Sequence, residues 1–352
     1  MNFETAYPRS KMAAVEEHLR GVWRGEIQST YSCVSMAVHY GQRSGEALTA
    51  VRAAESILKN AAYPGYTPPR MIIDYGTVST AAYWGGEVKL PVGGCLSIEP
   101  VIHSAKEALL ASPGDPEGGD AARGLTSFRE VSRILDTDRL YCTTPDFQGP
   151  LTTAALLWEQ TDFMVSMYEE PEVVHEFLDR VTTQLIKIIR AYIQNSGGRV
   201  CSNTWPYVWL PVELGVVMTE DYMPLLSAEL YKEFGIPYVE RISREFGGLF
   251  LHCCGEYEHQ LENLVNSDIN ILGLEFHYPH VRLEALLEAF GNRVLLVPYM
   301  SPKGFEVFKT RAEYFRHLKS VMTDEARFWF ILDPDEADFE EQLELVQSIT
   351  GP

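Results

Sequence analysis

The segment Leu251-His252-Cys253-Cys254-Gly255 places an imidazole and a thiol two residues apart at the end of an apolar run. In a strand, residues i and i+2 share a face, so His252 and Cys254 point one way and Cys253 the other. An imidazole and a thiolate on one face supply half of a zinc site. The same residues also read as a strand cap with two inert core cysteines. Asp74, in Ile72-Ile73-Asp74-Tyr75-Gly76, is a carboxylate directly after an apolar run. Burying it is costly unless it is paired or lies at a mouth, and it reads equally well as a cap for the next helix. Asp146 and Gln148 precede Gly149-Pro150, a turn that fixes a helix start. The adjacent carboxylates Glu220 and Asp221 follow a further apolar run. Such a pair holds a cation, orients a substrate, or sits at a solvated helix N-terminus.

The elements that position these residues are short apolar runs rich in β-branched residues. They fall at 71–74 (MIID), 140–144 (LYCTT), 200–204 (VCSNT), 216–219 (VVMT), 248–252 (GLFLH), 269–275 (INILGLE), 294–298 (VLLVP) and 328–332 (FWFIL). Nearly continuous apolar runs suit parallel strands buried on both faces. A strand near 32–38 is an alternative to the one at 200–204. Between the runs, 172–195, 227–244, 259–265 and 283–290 carry apolar residues at spacings of three and four, as amphipathic helices do. The Gly/Pro/Asp-rich stretch 112–124 reads as a surface loop. Alternating strand and helix means βαβ units, and eight strands in about 280 residues mean an α/β protein of the (β/α)8 barrel type. Residues 1–65 look helical and would cap a single barrel domain at 66–352. Function in such barrels sits at the C-terminal strand ends. That rule selects Asp74, Asp146, Glu220, Asp221, His252, Cys254, Glu275, Tyr299 and Asp333.

The chain has 352 residues, with 29 Lys+Arg against 49 Asp+Glu, a net charge of −20. That excess disfavours nucleic acid and anionic membrane surfaces, and any polyanionic substrate without a local Arg or Lys. No run of ~18 apolar residues is present, so no membrane span is expected. The first residues lack an apolar signal core, which makes a cytoplasmic location the expectation. The six cysteines do not form a disulfide framework. There is no GxGxxG after a strand, no P-loop and no GxSxG elbow.

Together these pieces resemble the uroporphyrinogen decarboxylase superfamily, from about residue 65 to the end of the chain. The carriers are IIDYGTVSTAAYWGGEV (72–88), DFQGPLTTAALLW (146–158), YEEPEVVHEFLDRVT (168–182), TEDYMPLLSAELYKEFGIPYVERI (219–242) and GGLFLHCCG (247–255). The superfamily includes the decarboxylase and cobalamin-dependent, zinc-containing methyltransferases, and the resemblance implies the same barrel. On the decarboxylase side, Asp74 matches the catalytic aspartate. The arginine-rich RQAGR-type segment is reduced to Arg43, the tyrosine after the Gly-Pro turn falls near Leu156, and the C-terminal Gly-His-Gly is replaced by Leu332-Asp333-Pro334-Asp335. On the methyltransferase side, His252 and Cys254 match the His-x-Cys zinc ligands. The last-strand cysteine ligand is replaced by Asp333, and Glu275 or Asp221 are further candidates for the third position.

The resemblance therefore implies zinc held by His252, Cys254 and Asp333, and a corrinoid carried by a partner protein. Asp74, Glu220 and Asp221 are the catalytic candidates, and Asp146, Gln148, Glu275 and Tyr299 the substrate-binding ones. The expected partners are a small-molecule substrate, the corrinoid protein and a second copy of the chain. A tetrapyrrole or carboxylate decarboxylase, and a barrel that binds without catalysing, are the alternatives.

Overall fold

The apolar runs are strands because β-branched and aromatic residues suit a pleated surface covered on both sides. The computed structural model describes residues 2–35, 39–41, 50–89, 96–203 and 207–351. Arg43 and Cys95 lie outside the described residues, as do 36–38 and Thr204 from two of the expected strands. In chain order the strands are β1 (Ser29–Cys33), β2 (His39–Gly41), β3 (Arg70–Asp74), β4 (Val88–Lys89), β5 (Ser97–Ile98), β6 (Tyr141–Thr144), β7 (Val200–Asn203), β8 (Val216–Thr219), β9 (Leu249–His252), β10 (Ile271–Tyr278), β11 (Leu295–Met300) and β12 (Arg327–Leu332).

One parallel sheet has the order β1-β12-β11-β10-β9-β8, and a second has β2-β3-β6-β7. Two seams join them. Above β7, a parallel bridge pairs Gln148 with Thr219 of β8. On the other side, Tyr66 N donates to Tyr31 O (3.0 Å) and Ser32 Oγ donates to Tyr66 O (2.6 Å), tying β1 to the segment before β3. The strands thus close into an α/β barrel with helices around it.

Alternate strand residues face opposite ways, and the two cores show which way each points. Val217, Phe250, Leu295, Val297 and Trp329 form the inner core, and Val15, Leu19 and Val22 of the helix Arg9–Trp23 pack into it. Trp23 packs at a tilt against Trp329 and meets Phe250 edge-on. This helix therefore plugs the barrel at its base. The neighbours in sequence, Met218, Leu251, Leu274, Leu296, Phe328 and Phe330, belong to the outer core under the helices.

Several elements differ from the sequence-based expectation. Residues 1–65 are not only a helical cap, because the apolar and hydroxyl run Ser29–Cys33 pairs with β12 along its whole length. Both the 200–204 strand and an early strand exist, so neither replaces the other. The loop at 112–124 gives way to helix at Gly119, part of Gly119–Ile134. The expected helix 227–244 splits into Ala228–Phe234 and Ile236–Phe246, since Gly235 and Pro237 interrupt the hydrogen-bond ladder. β10 continues to Tyr278, three residues past the expected end, because Phe276-His277-Tyr278 prolongs the aromatic β pattern. No helix among the described residues is long and apolar enough to cross a membrane.

Candidate metal centre

Register brings the strand ends together. Thr219 pairs with His252 across β8 and β9, and Glu275 and His277 of β10 pair with Val297 and Tyr299 of β11. The inner-facing residues continue past the strands as Asp221 and Cys254. His252 Nε2 lies 3.8 Å from Asp221 Oδ1, and Cys254 Sγ lies 3.4 Å from the same oxygen. The Cys254 backbone N–H also donates to Asp221 Oδ1 (3.2 Å). One ligand atom each from Asp221, His252 and Cys254 falls within 4.8 Å of the others. His252 is buried, Asp221 half-buried and Cys254 exposed, so the group opens outward.

The opposite nitrogen of His252, Nδ1, contacts Glu275 Oε2 closely. Glu275 Oε1 lies 3.5 Å from His277 Nε2, and these three residues form a second, wholly buried group of ligand-capable atoms. Burial opposes charge on both His252 and Glu275, but their mutual attraction outweighs it. Glu275, Cys254 and Asp221 hold the His252 pKa well above the ordinary imidazole value. His252 and His277 hold the Glu275 carboxyl below the ordinary carboxylate value.

The remaining candidates divide. Glu275, Tyr299 and Asp333 line one cavity beside this centre. The Tyr299 ring packs on His277 with centroids 4.6 Å apart, and Asp333 Oδ1 accepts from Asp335 N (3.0 Å). Asp333 lies in neither ligand-capable group, so the expected zinc set His252, Cys254 and Asp333 is not the one that converges; Asp221 is nearer. Asp146 and Gln148 share the inner face beside Thr219, whose Oγ1 donates to Asp146 Oδ1 (2.9 Å). Gln148 is fully buried, and its amide N and O have no hydrogen-bond partner among the described residues. Asp74 is buried at the end of β3, where its Oδ1 accepts from Gly76 N (2.9 Å) and closes a tight turn at φ +70.

Glu220 lies apart from the centre. Its parity is that of Met218, which puts it on the helix side of the barrel wall. Its Oε1 accepts from Thr152 N (2.9 Å) and Thr152 Oγ1 (2.8 Å), in the first turn of the helix Pro150–Leu157. A Cβ at Gly149 would stand 1.9 Å from Glu220 Oε2, so the Glu220 carboxylate occupies the space that a side chain there would take. Glu220, expected among the catalytic candidates, stands on the helix side because a strand alternates and Asp221 takes the inner position. Burial pushes the Glu220 pKa up to about 8, with Thr152 opposing in part. A folded-state pKa above the unfolded value stabilises at low pH, and that contribution is lost as pH rises through about 8. At about 1.4 kcal/mol per unit the loss amounts to several kcal/mol. We therefore expect the wild-type melting temperature to fall between pH 5 and pH 9 and Glu220→Gln to flatten that fall, with a gain of about 5 °C at the alkaline end. Parallel melting profiles for the two proteins would refute this reading of Glu220.

Sequence reasoning missed His277 and Arg311. The signal for His277 was present: Glu275-Phe276-His277 has the same i, i+2 spacing as His252 and Cys254, but the expected strand stopped at Glu275. Arg311 carries no local signal. It reaches the cavity only because the helix Arg311–Val321 begins beside β11.

The family model described as uroporphyrinogen decarboxylase (URO-D) matches residues 71–331. Among solved structures, a methyltransferase from Methanosarcina mazei is similar over 95% of this chain and 98% of that one, with a TM-score of 0.68 and 15% identity. At that identity the likeness is one of fold. A Listeria monocytogenes protein described as a vitamin-B12 independent methionine synthase is similar over 66% of this chain and 70% of that one, with a TM-score of 0.35 and 14% identity. No curated protein matches the sequence. The family match runs from β3 to β12 and spans well over half of the chain, which therefore belongs to the uroporphyrinogen decarboxylase (URO-D) family.

Proposed function

We propose that this chain is a zinc-dependent methyltransferase that moves a methyl group between a corrinoid on a partner protein and a small thiol. The observation that carries the reading is the convergence of His252 Nε2, Cys254 Sγ and Asp221 Oδ1 at the barrel mouth. Nitrogen, sulfur and carboxylate oxygen suit zinc, and three protein ligands leave a fourth position for substrate. Bound there, zinc would lower the pKa of a thiol acceptor so that it is a nucleophile near neutral pH.

The protein's own contributions follow from its contacts. Glu275 grips His252 Nδ1, which fixes the ring orientation and leaves Nε2 facing Asp221 and Cys254. A carboxylate behind a ligating histidine raises its basicity and locks its tautomer. Asp221 binds the Cys254 N–H, holding the turn that presents the thiol. Asp74, Asp146 and Gln148 line the inner wall, where they orient what enters. The barrel wall and the plug helix keep water from the base.

Incubation with free methylcobalamin and a small thiol tests the reading. The expected result is thioether formation that requires zinc and Cys254 and ceases in Cys254→Ser. Carbon dioxide release from uroporphyrinogen by metal-free protein, dependent on Asp74 but not on Cys254, would replace this reading with the decarboxylase one.

A further inference from the structure

The cavity beside the metal centre contains a cation that the proposed chemistry does not use. Arg311 lines it together with Glu275, Tyr299 and Asp333, against apolar Val297 and Ile331. The guanidinium carbon lies over the Tyr299 ring, 4.5 Å from its centroid. Its Nε is 3.0 Å from Glu336 Oε1 on the flank. That approach is an ion pair without hydrogen-bond alignment, and Nε makes no hydrogen bond to a described residue. The side chain keeps 16% of its surface exposed.

The carboxylates around the cavity are engaged differently. Glu275 is committed to His252 and His277. Asp333 accepts from the Asp335 backbone, and Glu336 accepts from Gln342 Nε2 (2.8 Å). Burial also holds the Glu336 carboxyl above its ordinary value, with Arg311 opposing. The unmet hydrogen-bonding capacity here is that of a donor. A guanidinium held on an aromatic face with its fork open is suited to a carboxylate, which it takes in two parallel bonds. In a chain with a net charge of −20, an anionic ligand needs such a local cation.

We infer that Arg311 anchors a carboxylate on the small-molecule acceptor, in the cavity of Tyr299 and Asp333 whose Glu275 wall adjoins His252 of the metal centre. The inference rests on the methyl-transfer reading for the word acceptor, but the anion site stands on Arg311 alone. It makes Arg311 a specificity-determining residue and the acceptor a small thiol carboxylic acid.

Calorimetric titration with 3-mercaptopropionate, 2-mercaptoethanol and cysteamine, which differ in the charge of the tail, tests it. Wild-type protein is expected to bind the anionic thiol at least about tenfold more tightly than the neutral one. Arg311→Gln should erase the difference and Arg311→Lys should keep part of it. Equal affinities, a preference for cysteamine, or a preference that survives in Arg311→Gln would overturn the inference. Propionate, which has no thiol, should displace 3-mercaptopropionate from wild-type protein, which keeps the test open if Arg311→Gln does not fold. The same titrations in Cys254→Ser separate the two proposals. If only the metal reading fails, 3-mercaptopropionate binds no more tightly than propionate, and both bind Cys254→Ser and the wild type alike. If only the Arg311 inference fails, thiols bind the wild type regardless of tail charge and Cys254→Ser loses them.

Discussion

His252→Ala is expected to destabilise the protein by roughly 3–5 kcal/mol and to abolish metal binding. Glu275 is 1% exposed, and His252 supplies its closest contact. Removing one partner of a buried ion pair leaves the other charge without compensation, and the penalty exceeds what the pair contributed. His277 also faces Glu275, at 3.5 Å, and compensates only in part. In the metal-free protein the lowered Glu275 pKa makes its contribution fade as pH falls, and the raised His252 pKa makes its own fade as pH rises. His252→Ala should therefore raise the Glu275 carboxyl pKa, since burial then acts with less opposition. The double variant His252→Ala/Glu275→Leu should recover most of the stability and none of the metal binding. Urea melts of the three proteins decide the matter. A His252→Ala protein within about 1 kcal/mol of wild type would mean that the pair is not a buried charge couple.

Cys254→Ser should have the opposite profile. The side chain is exposed and its contacts are with Asp221, so the metal-free fold should hold its stability to within about 0.5 kcal/mol. A hydroxyl does not ionise near neutral pH as a zinc-bound thiol does, so zinc affinity should fall by more than ~100-fold. Cys253→Ser is the control that strand alternation supplies. Cys253 is buried on the helix side, where burial holds its thiol well above the ordinary value. Its replacement buries a hydroxyl among apolar groups, which costs about 1–3 kcal/mol, and leaves metal content unchanged. Two adjacent cysteines thus give two unrelated phenotypes, and an equal loss of metal in both would contradict the assigned geometry.

Much of this site was legible in the sequence because a strand's period of two is strict. His252 and Cys254 share a face with Cys253 opposite, and the barrel rule places Glu275, Tyr299 and Asp333 at one end. The same period, followed along Val217, Met218, Thr219, Glu220 and Asp221, sends Glu220 outward; proximity to a strand end alone was not enough to assign it a role. His277 was hidden by a strand boundary drawn three residues early, where aromatic residues continue the ladder without the aliphatic character that marked the rest. The third carboxylate near His252 and Cys254 was not decidable from sequence, since Asp221, Glu275 and Asp333 all follow strands. Register and backbone turn separate them: the Asp221 carboxylate is held by the Cys254 N–H, while Asp333 turns back to Asp335. Arg311 was not legible, because only the three-dimensional placement of the helix Arg311–Val321 brings it over Tyr299.

The proposed function depends on His252, Cys254 and Asp221 holding a metal ion. The most direct test is zinc per chain, measured by plasma mass spectrometry on full-length protein purified without chelator. About one zinc per chain is expected in the wild type, with a large loss in Cys254→Ser and Asp221→Ala and no change in Cys253→Ser or Asp333→Asn. Less than about a tenth of an equivalent in the wild type, or a zinc content indifferent to Cys254→Ser, would contradict it.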